Sequence, residues 1–175
     1  GLMADDSIIT VGGEASLTGA DGAVAQNDGM ITFNGPLTIH STDTALRAVD
    51  GGVIDASAAD AEKYIDGHIV ADGGRVSLEL NKAGSYLTGT TTVSDGADLA
   101  RAAYRNRAAD GTDESTGTLD LNLGTGTVWN VTGDSSLTNL TNNGTVNMRG
   151  SSRTGQQLTV NTLSGEGTLA MDLDW

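Results

Sequence analysis

A pattern begins at Gly29-Met-Ile-Thr-Phe33 and returns at Gly52-Val-Ile-Asp-Ala56 and at Gly74-Arg-Val-Ser-Leu78: a glycine, then apolar residues at alternate positions. The first two glycines are 23 residues apart and the next pair is 22 apart. The same signal follows three later glycines, with spacings of 18 and 23 residues: Gly126, Gly144 and Gly167. Alternation over a few residues predicts a strand with one buried face, and repetition at this period is typical of a solenoid.

Each period contains three short strand candidates. In two successive periods they are Gly29–Asn34, Leu37–His40 and Ala45–Val49, then Val53–Ser57, Tyr64–Ile65 and His68–Ala71. Copies at a fixed period favour parallel stacking of whole coils over hairpins. We therefore predict an all-β fold, a right-handed single-stranded parallel β-helix with about 22 residues per coil. With one coil every ~4.8 Å, the chain would form a rod of about eight coils.

The composition suits such a thin core, because only 3% of the residues are aromatic and 25 are glycine. Inward positions are expected at the alternating apolar members of each strand, since successive side chains point to opposite faces. For the pair Val53 and Ile54 the choice of face stays open. The expected inward residues are Ile31, Phe33, Val53 or Ile54, Val76, Leu78, Val128, Val146, Met148, Leu169 and Met171.

A polar stretch at 94–117 interrupts the period within what reads as one continuous domain. Residues 1–117 are predicted to form coils that carry this long loop, and residues 118–175 form the C-terminal coils. The loop gathers three of the nine basic residues beside a tyrosine, and a helical turn is expected around Leu99–Tyr104. Arginine and tyrosine dominate recognition hot spots, so the loop is a candidate partner contact: Arg101, Tyr104, Arg105 and Arg107. Alternatively, the arginines pair with acids on the rod. A shorter segment, Ala58–Lys63, is expected to bulge from a corner.

The net charge of −14 opposes binding to nucleic acid or to anionic lipid. The absence of cysteine excludes disulfides, thiolate metal sites and a cysteine nucleophile. The two histidines, His40 and His68, have no carboxylates at metal-site spacing, so we predict no metal and no cofactor.

Two patterns bear on catalysis. Gly133-Asp-Ser-Ser136 occurs around some nucleophilic serines, but it lies between strand candidates, where these residues are ordinary turn formers. The acids Asp55, Asp60, Asp66 and Asp72 are the candidates for a carboxylate face that acts on polysaccharide. Asp is also expected at corners, and we predict no catalytic residue and no enzyme.

The C-terminal third carries more specific blocks. Trp129-Asn-Val-Thr-Gly-Asp-Ser135 and, further on, Leu163-Ser-Gly-Glu-Gly-Thr168 occur in order at a family-like distance. This part of the chain resembles the end of the passenger domain of type Va autotransporters, the pertactin and AIDA-like group. Residues 1–93 resemble that family only in their β-helical character.

The resemblance implies a Gram-negative cell-surface protein that crosses the outer membrane with its own C-terminal barrel, which is not part of this chain. Residues 118–171 would seed folding, with Trp129 packed as an anchor within a coil. The implied function is adhesion or bacterial self-association, as in autoaggregation and biofilms. Partners would be a host surface glycan or protein, or the same passenger on a neighbouring cell. The alternatives are a stalk that presents an N-terminal effector domain and a β-helical polysaccharide hydrolase or lyase.

Overall fold

A computed structural model describes residues 1–96, 116–149 and 156–172. Within these ranges the fold is all-β and contains no helix, so none of the described segments is a helix long and apolar enough to cross a membrane. The strands are β1 (Leu2–Asp5), β2 (Ile8–Val11), β3 (Ala15–Gln26), β4 (Met30–Phe33), β5 (Leu37–Val49), β6 (Val53–Ala56), β7 (Lys63–Asp72), β8 (Arg75–Leu80), β9 (Tyr86–Gly89), β10 (Thr91–Ser94), β11 (Thr118–Leu123), β12 (Val128–Val131), β13 (Ser135–Asn142), β14 (Thr145–Asn147), β15 (Leu158–Ser164) and β16 (Thr168–Ala170).

All pairings between these strands are parallel, and the coils stack into a β-solenoid of about six turns of roughly 23 residues. One sheet runs β1-β3-β5-β7-β9-β12-β14-β16, with β10 also paired to β7, and the other runs β15-β13-β11-β8-β6-β4-β2. The predicted parallel stack is confirmed. The described residues form about six turns, fewer than the eight expected.

The long strands bend, which gives each coil three faces. Face one contains β2, β4, β6, β8, β11 and the second halves of β13 and β15. Face two contains the first halves of β3, β5 and β7, followed by β9, β12, β14 and β16. Face three contains β1, the second halves of β3, β5 and β7, and β10. Each face presents alternate residues inward and outward.

The core consists of inward columns of buried side chains, more than one on each face. Face one supplies Ile31, Ile54, Val76 and Leu119, and face two supplies Ile39, Ile65, Leu87, Trp129 and Val146. Face three supplies the smaller column Ala4, Ala25, Ala48 and Ala71. Such columns bury apolar surface at about 25 cal/mol per Å² without needing large side chains.

Most of the inward predictions are confirmed by burial: Ile31, Phe33, Val76, Leu78 and Val146. In β6 the inward residue is Ile54, because it pairs with Ile31 and Val76. The prediction for Val128 is wrong. Its neighbour Trp129 is fully buried and stacks between Leu87 and Val146, which turns Val128 outward.

The last coil leaves its inner side open. Met148 is partly buried against the core, but Leu169 and Met171 are 49% and 51% exposed although they line the inner side. Leu163 is 64% exposed, and these side chains border a cleft of about 460 Å³. These residues are less buried than predicted because no described coil stacks on this end.

The first three repeated glycines lie at the corner between face three and face one, whereas Gly126, Gly144 and Gly167 precede face-two strands. A Cβ on Gly29, Gly52 or Gly74 would collide with the backbone of an alanine in the preceding coil, and Gly117 occupies the same kind of position. The backbone of Gly52, for example, lies against the carbonyl oxygen of Ala25. At this corner the glycine therefore follows from the close approach of successive coils.

The polar insertion leaves this corner and returns to it. Leu119 pairs with Val76, 43 positions earlier, whereas Val76 pairs with Ile54 at a spacing of 22. The backbone of Gly117 also lies directly against Ser94. The coil path thus closes between these two residues. The predicted helical turn at Leu99–Tyr104 lies outside the described residues.

Substituting Gly52 by Ala tests the glycine corner. We expect Gly52→Ala to lower the free energy of unfolding by about 1–3 kcal/mol, as overpacking in a core does. Gly13→Ala is the matched control, since a Cβ there meets nothing within 4 Å. It should change stability by less than about 1 kcal/mol. Urea unfolding followed by circular dichroism measures both, and equal midpoints for the two variants would contradict the close-approach explanation.

Candidate functional site

Face two carries two outward ladders of side chains along the rod axis. One ladder contains, in register, Thr38, Tyr64, Tyr86, Val128 and Thr145. The other contains Thr18, His40, Asp66, Thr88, Asn130 and Asn147. Each position is one coil from the next, because parallel in-register stacking aligns equivalent residues.

The second ladder is tied together by side-chain hydrogen bonds. Asn130 Nδ2 donates to Thr88 Oγ1 at 3.2 Å, and Asn147 Nδ2 donates to Asn130 Oδ1 at 3.1 Å. Bonds between equivalent outward side chains are the sheet counterpart of cross-strand pairs and hold each rotamer in place. This side of the rod therefore presents fixed polar groups.

At the centre of face two lies an aromatic patch formed by His40, Glu62, Tyr64, Asp66 and Tyr86. His40 Nδ1 lies 2.7 Å from Asp66 Oδ2, and the Tyr86 hydroxyl donates to the same oxygen at 3.3 Å. The Tyr64 hydroxyl donates to Glu62 Oε2 at 3.2 Å. The two tyrosine rings are 5.7 Å apart between centroids, tilted by 45°.

The patch is accessible to solvent, since the side chains of His40 and Asp66 are 55% and 39% exposed. Burial and the negative charge of Asp66 raise the pKa of the Tyr86 phenol. The hydrogen bond to Glu62 raises the pKa of the Tyr64 phenol. Both phenols stay protonated at neutral pH and act as donors to the carboxylates beside them.

Lys63 lies directly behind this patch and is fully buried. Its Nζ donates to the carbonyl oxygens of Ala58 and Glu79, at 2.6 Å each, and its backbone N–H donates to Ser85 Oγ at 3.0 Å. It occupies the stack position of Leu37 in the preceding coil. The segment Ala58–Lys63, which we call the corner insertion, leads into β7. Lys63 holds it in place through these hydrogen bonds.

Burial lowers the pKa of the Lys63 ammonium below its usual range, while the charges of Glu79 and Asp55 act in the opposite direction. The spacing from Leu37 to Lys63 is 26 residues, against 22 from Tyr64 to Tyr86, so the predicted bulge at Ala58–Lys63 is present. Its last residue is inward rather than on the surface.

The Gly-Asp-Ser block is occupied by structural hydrogen bonds. Ser135 is buried, and its Oγ donates to the Gly133 carbonyl at 3.1 Å and accepts from the Thr91 N–H at 3.2 Å. Asp134 Oδ1 accepts the Gln157 N–H at 2.9 Å. These contacts agree with the interpretation of the block as a turn. The Ser135 hydroxyl links its own coil to the coil of Thr91.

The four acids considered for a carboxylate face are not on one face. Asp55 belongs to β6 on face one, Asp66 to the first half of β7 on face two, and Asp72 to the end of β7 on face three. Asp60 lies in the corner insertion. The suggestion of a shared carboxylate face is wrong, because the coil turns between these positions.

The two histidines are engaged separately. His40 contacts Asp66, and His68 Nδ1 accepts the Thr90 N–H at 3.0 Å and contacts Thr90 Oγ1 at 2.7 Å. Among the described residues no group of three His, Cys, Asp or Glu side chains is arranged to hold a metal ion.

The four predicted contact residues, Arg101, Tyr104, Arg105 and Arg107, lie outside the described residues. The aromatic patch was not predicted from the sequence. The available signal was the spacing of Tyr64 and Tyr86, which are one coil apart.

No family model matches this chain, and neither a curated protein nor a solved structure matches it. The autotransporter resemblance therefore stays a prediction from the sequence blocks.

Substituting Lys63 by Met keeps the stem and removes the ammonium. At pH 7 we expect Lys63→Met to lower the free energy of unfolding by about 1–3 kcal/mol, because two carbonyls lose their donor. The wild type should gain stability relative to this variant as the pH rises towards the ordinary lysine pKa of about 10.4. The reason is that a lowered pKa makes the folded state release its proton before the unfolded state does.

Urea unfolding of both proteins at pH 8, 9 and 10 measures this difference. Both proteins retain Tyr64 and Tyr86, so the contributions of the phenols cancel in the comparison. A stability gap that stays constant or narrows with rising pH would contradict the assignment of Lys63 as a desolvated, hydrogen-bonded ammonium.

Proposed function

We propose that this chain is a binding module of a bacterial cell surface, part of an autotransporter passenger that acts in adhesion or self-association. The observation that supports this most directly is the pair of outward ladders on face two, which runs along several coils of a solenoid. The sequence blocks that resemble the C-terminal passenger region supply the proposed location.

The ladders suit a binding role for an energetic reason. Their side chains are already held by neighbours, as in the contacts of Asn130 with Thr88 and Asn147, so little rotamer freedom is lost when a partner docks. Each contact is weak, but many copies on two facing cell surfaces add through multivalency. A rod with fixed outward groups is therefore suited to distributed contact.

The serine, histidine and carboxylate side chains that could serve in catalysis are engaged in other contacts or lie far apart. The Ser135 hydroxyl joins coils, His40 and His68 have separate partners, and the acids are spread over three faces. This arrangement favours binding over chemistry. The proposed partner is a host surface glycan or protein, or the same passenger on a second cell.

Display of the complete passenger on otherwise non-aggregating bacteria tests the proposal. We expect rapid settling of the culture, and settling should be faster in higher salt because this part of the passenger, with a net charge of −14, repels its copies at low salt. The control strain displays the same anchor without the passenger. Thr145→Arg on face two should slow settling, whereas Ser77→Arg on face one should not. Continued suspension would favour a stalk or a host-directed adhesin.

The loop arginines offer a second test. Replacing Arg101, Arg105 and Arg107 by Ala should weaken partner binding and leave the unfolding midpoint unchanged. The solenoid should be unaffected because Gly117 returns to Ser94, so the coil path closes without the loop. Settling assays and thermal unfolding of the triple variant measure the two effects. A lower midpoint would show that the loop supports the fold.

A further inference from the structure

We propose that the aromatic patch on face two is a binding site for a neutral oligosaccharide. The inference rests on the proposed adhesive function and names the chemical class of its ligand. It is carried by the pairing of two partly exposed phenol rings with oriented carboxylates. Of these four residues the sequence had singled out only Asp66, and for a different role.

The rings provide apolar surface in a polar setting. Tyr64 and Tyr86 contact one another with their ring centroids 5.7 Å apart and a tilt of 45°. The next positions of the same ladder are Thr38 before Tyr64 and Val128 after Tyr86, and both side chains are too small to cover an aromatic ring. The outer ring faces are left for a ligand. A pyranose ring has a matching C–H face, and aromatic side chains are well suited to such amphipathic contact.

The carboxylates beside the rings are oriented by hydrogen bonds and still have oxygen atoms that can accept further hydrogen bonds. Asp66 Oδ2 receives both the His40 contact and the Tyr86 hydroxyl bond, which fixes the carboxylate plane. No hydrogen bond from the described residues reaches Asp66 Oδ1. A fixed carboxylate oxygen accepts charge-assisted hydrogen bonds from sugar hydroxyls. Glu62, held by Tyr64, adds a second carboxylate at the edge.

The charge of the site selects against acidic sugars. Glu62 and Asp66 face solvent in a chain of net charge −14, and the nearest lysine, Lys63, is buried on the inner side with its ammonium bound to carbonyls. Uronates, sulfated sugars and nucleic acids are therefore repelled. A protein partner would need roughly 800 Å² of complementary surface on this chain, whereas a sugar needs little more than the two rings and the groups around them.

The ladder also fits an extended chain of sugars. Successive coils are about 4.8 Å apart, which is close to the length of one pyranose unit in an extended polymer. Thr88 and Asn130 continue the polar ladder beyond Asp66. One oligosaccharide along the rod axis would contact the rings first and the amide ladder next.

Titration of the purified 175-residue chain with defined hexamers tests the inference. The probes are β-1,4-linked glucose, β-1,4-linked N-acetylglucosamine and α-1,4-linked glucose hexamers, with a galacturonate hexamer as the anionic control. Ligand-observed NMR measures the dissociation constants. We expect at least one neutral hexamer to bind with a dissociation constant on the order of 10⁻³ to 10⁻⁵ M, and the galacturonate hexamer to bind at least about tenfold more weakly.

Four variants localise the binding. Tyr64→Ala should weaken it about tenfold or more, whereas Tyr64→Phe, which keeps the ring, should stay within about threefold. Thr38→Trp places a bulky ring over the free face of Tyr64 and should block binding. Thr32→Trp makes the same substitution on face one and should not. Circular dichroism confirms that each variant is folded, and the two Trp variants keep the test decisive if Tyr64→Ala fails to fold.

Absence of binding of all three neutral hexamers at millimolar concentration would overturn the inference, as would equal binding of the galacturonate hexamer or equal loss in Thr38→Trp and Thr32→Trp. The proposed function is tested separately by settling. If displayed cells settle and no hexamer binds, the sugar site is overturned while the adhesive function stands. If a hexamer binds at the patch and cells stay suspended, the sugar site is supported and self-association is not.

Discussion

Backbone hydrogen bonding between successive coils is the interaction on which the rest of this structure depends. Each coil satisfies its N–H and C=O groups on the coils before and after it, at the corners as well as on the faces. At the glycine corner Val53 donates to Gly29, Arg75 to Gly52 and Thr118 to Gly74, each at 2.9 Å. Coils this close leave no room for a Cβ at that corner. The same closeness allows a core of small aliphatic side chains to be dry.

Two large side chains depart from that thin core, and both are accommodated by backbone carbonyls. Trp129 is fully buried, and its indole Nε1 donates to the Gly89 carbonyl at 3.0 Å. Lys63 uses the carbonyls of Ala58 and Glu79 in the same way. A buried donor is tolerated when it finds an acceptor. Here the acceptors lie at the end of β9, in the insertion before β7 and within β8.

The architecture was predictable because its signals are local. A glycine at each corner and alternation in each strand repeat at the coil period, so a few residues per coil are enough. The inward side of β12 was not, because Val128 stands two residues after Gly126 as Val146 does after Gly144, yet the register aligns Val128 with Thr145 and Trp129 with Val146. The aromatic patch was harder still. Tyr64 and Tyr86 are one regular period of 22 residues apart, but His40 and Asp66 are 26 residues apart because the corner insertion before Lys63 lengthens that coil.

The junction at Ser94 and Gly117 separates the stacked coils from a segment that should tolerate sequence changes more easily than they do. A substitution in a face-two ladder or a glycine corner is felt by the coils on either side, because each coil is the template for its neighbour. Between Ser94 and Gly117 the chain can lengthen, shorten or change composition at a small entropic cost, since its ends already meet. Related proteins should therefore diverge fastest in this segment and slowest at the corners. The rod would keep its spacing while the segment between these two residues changes.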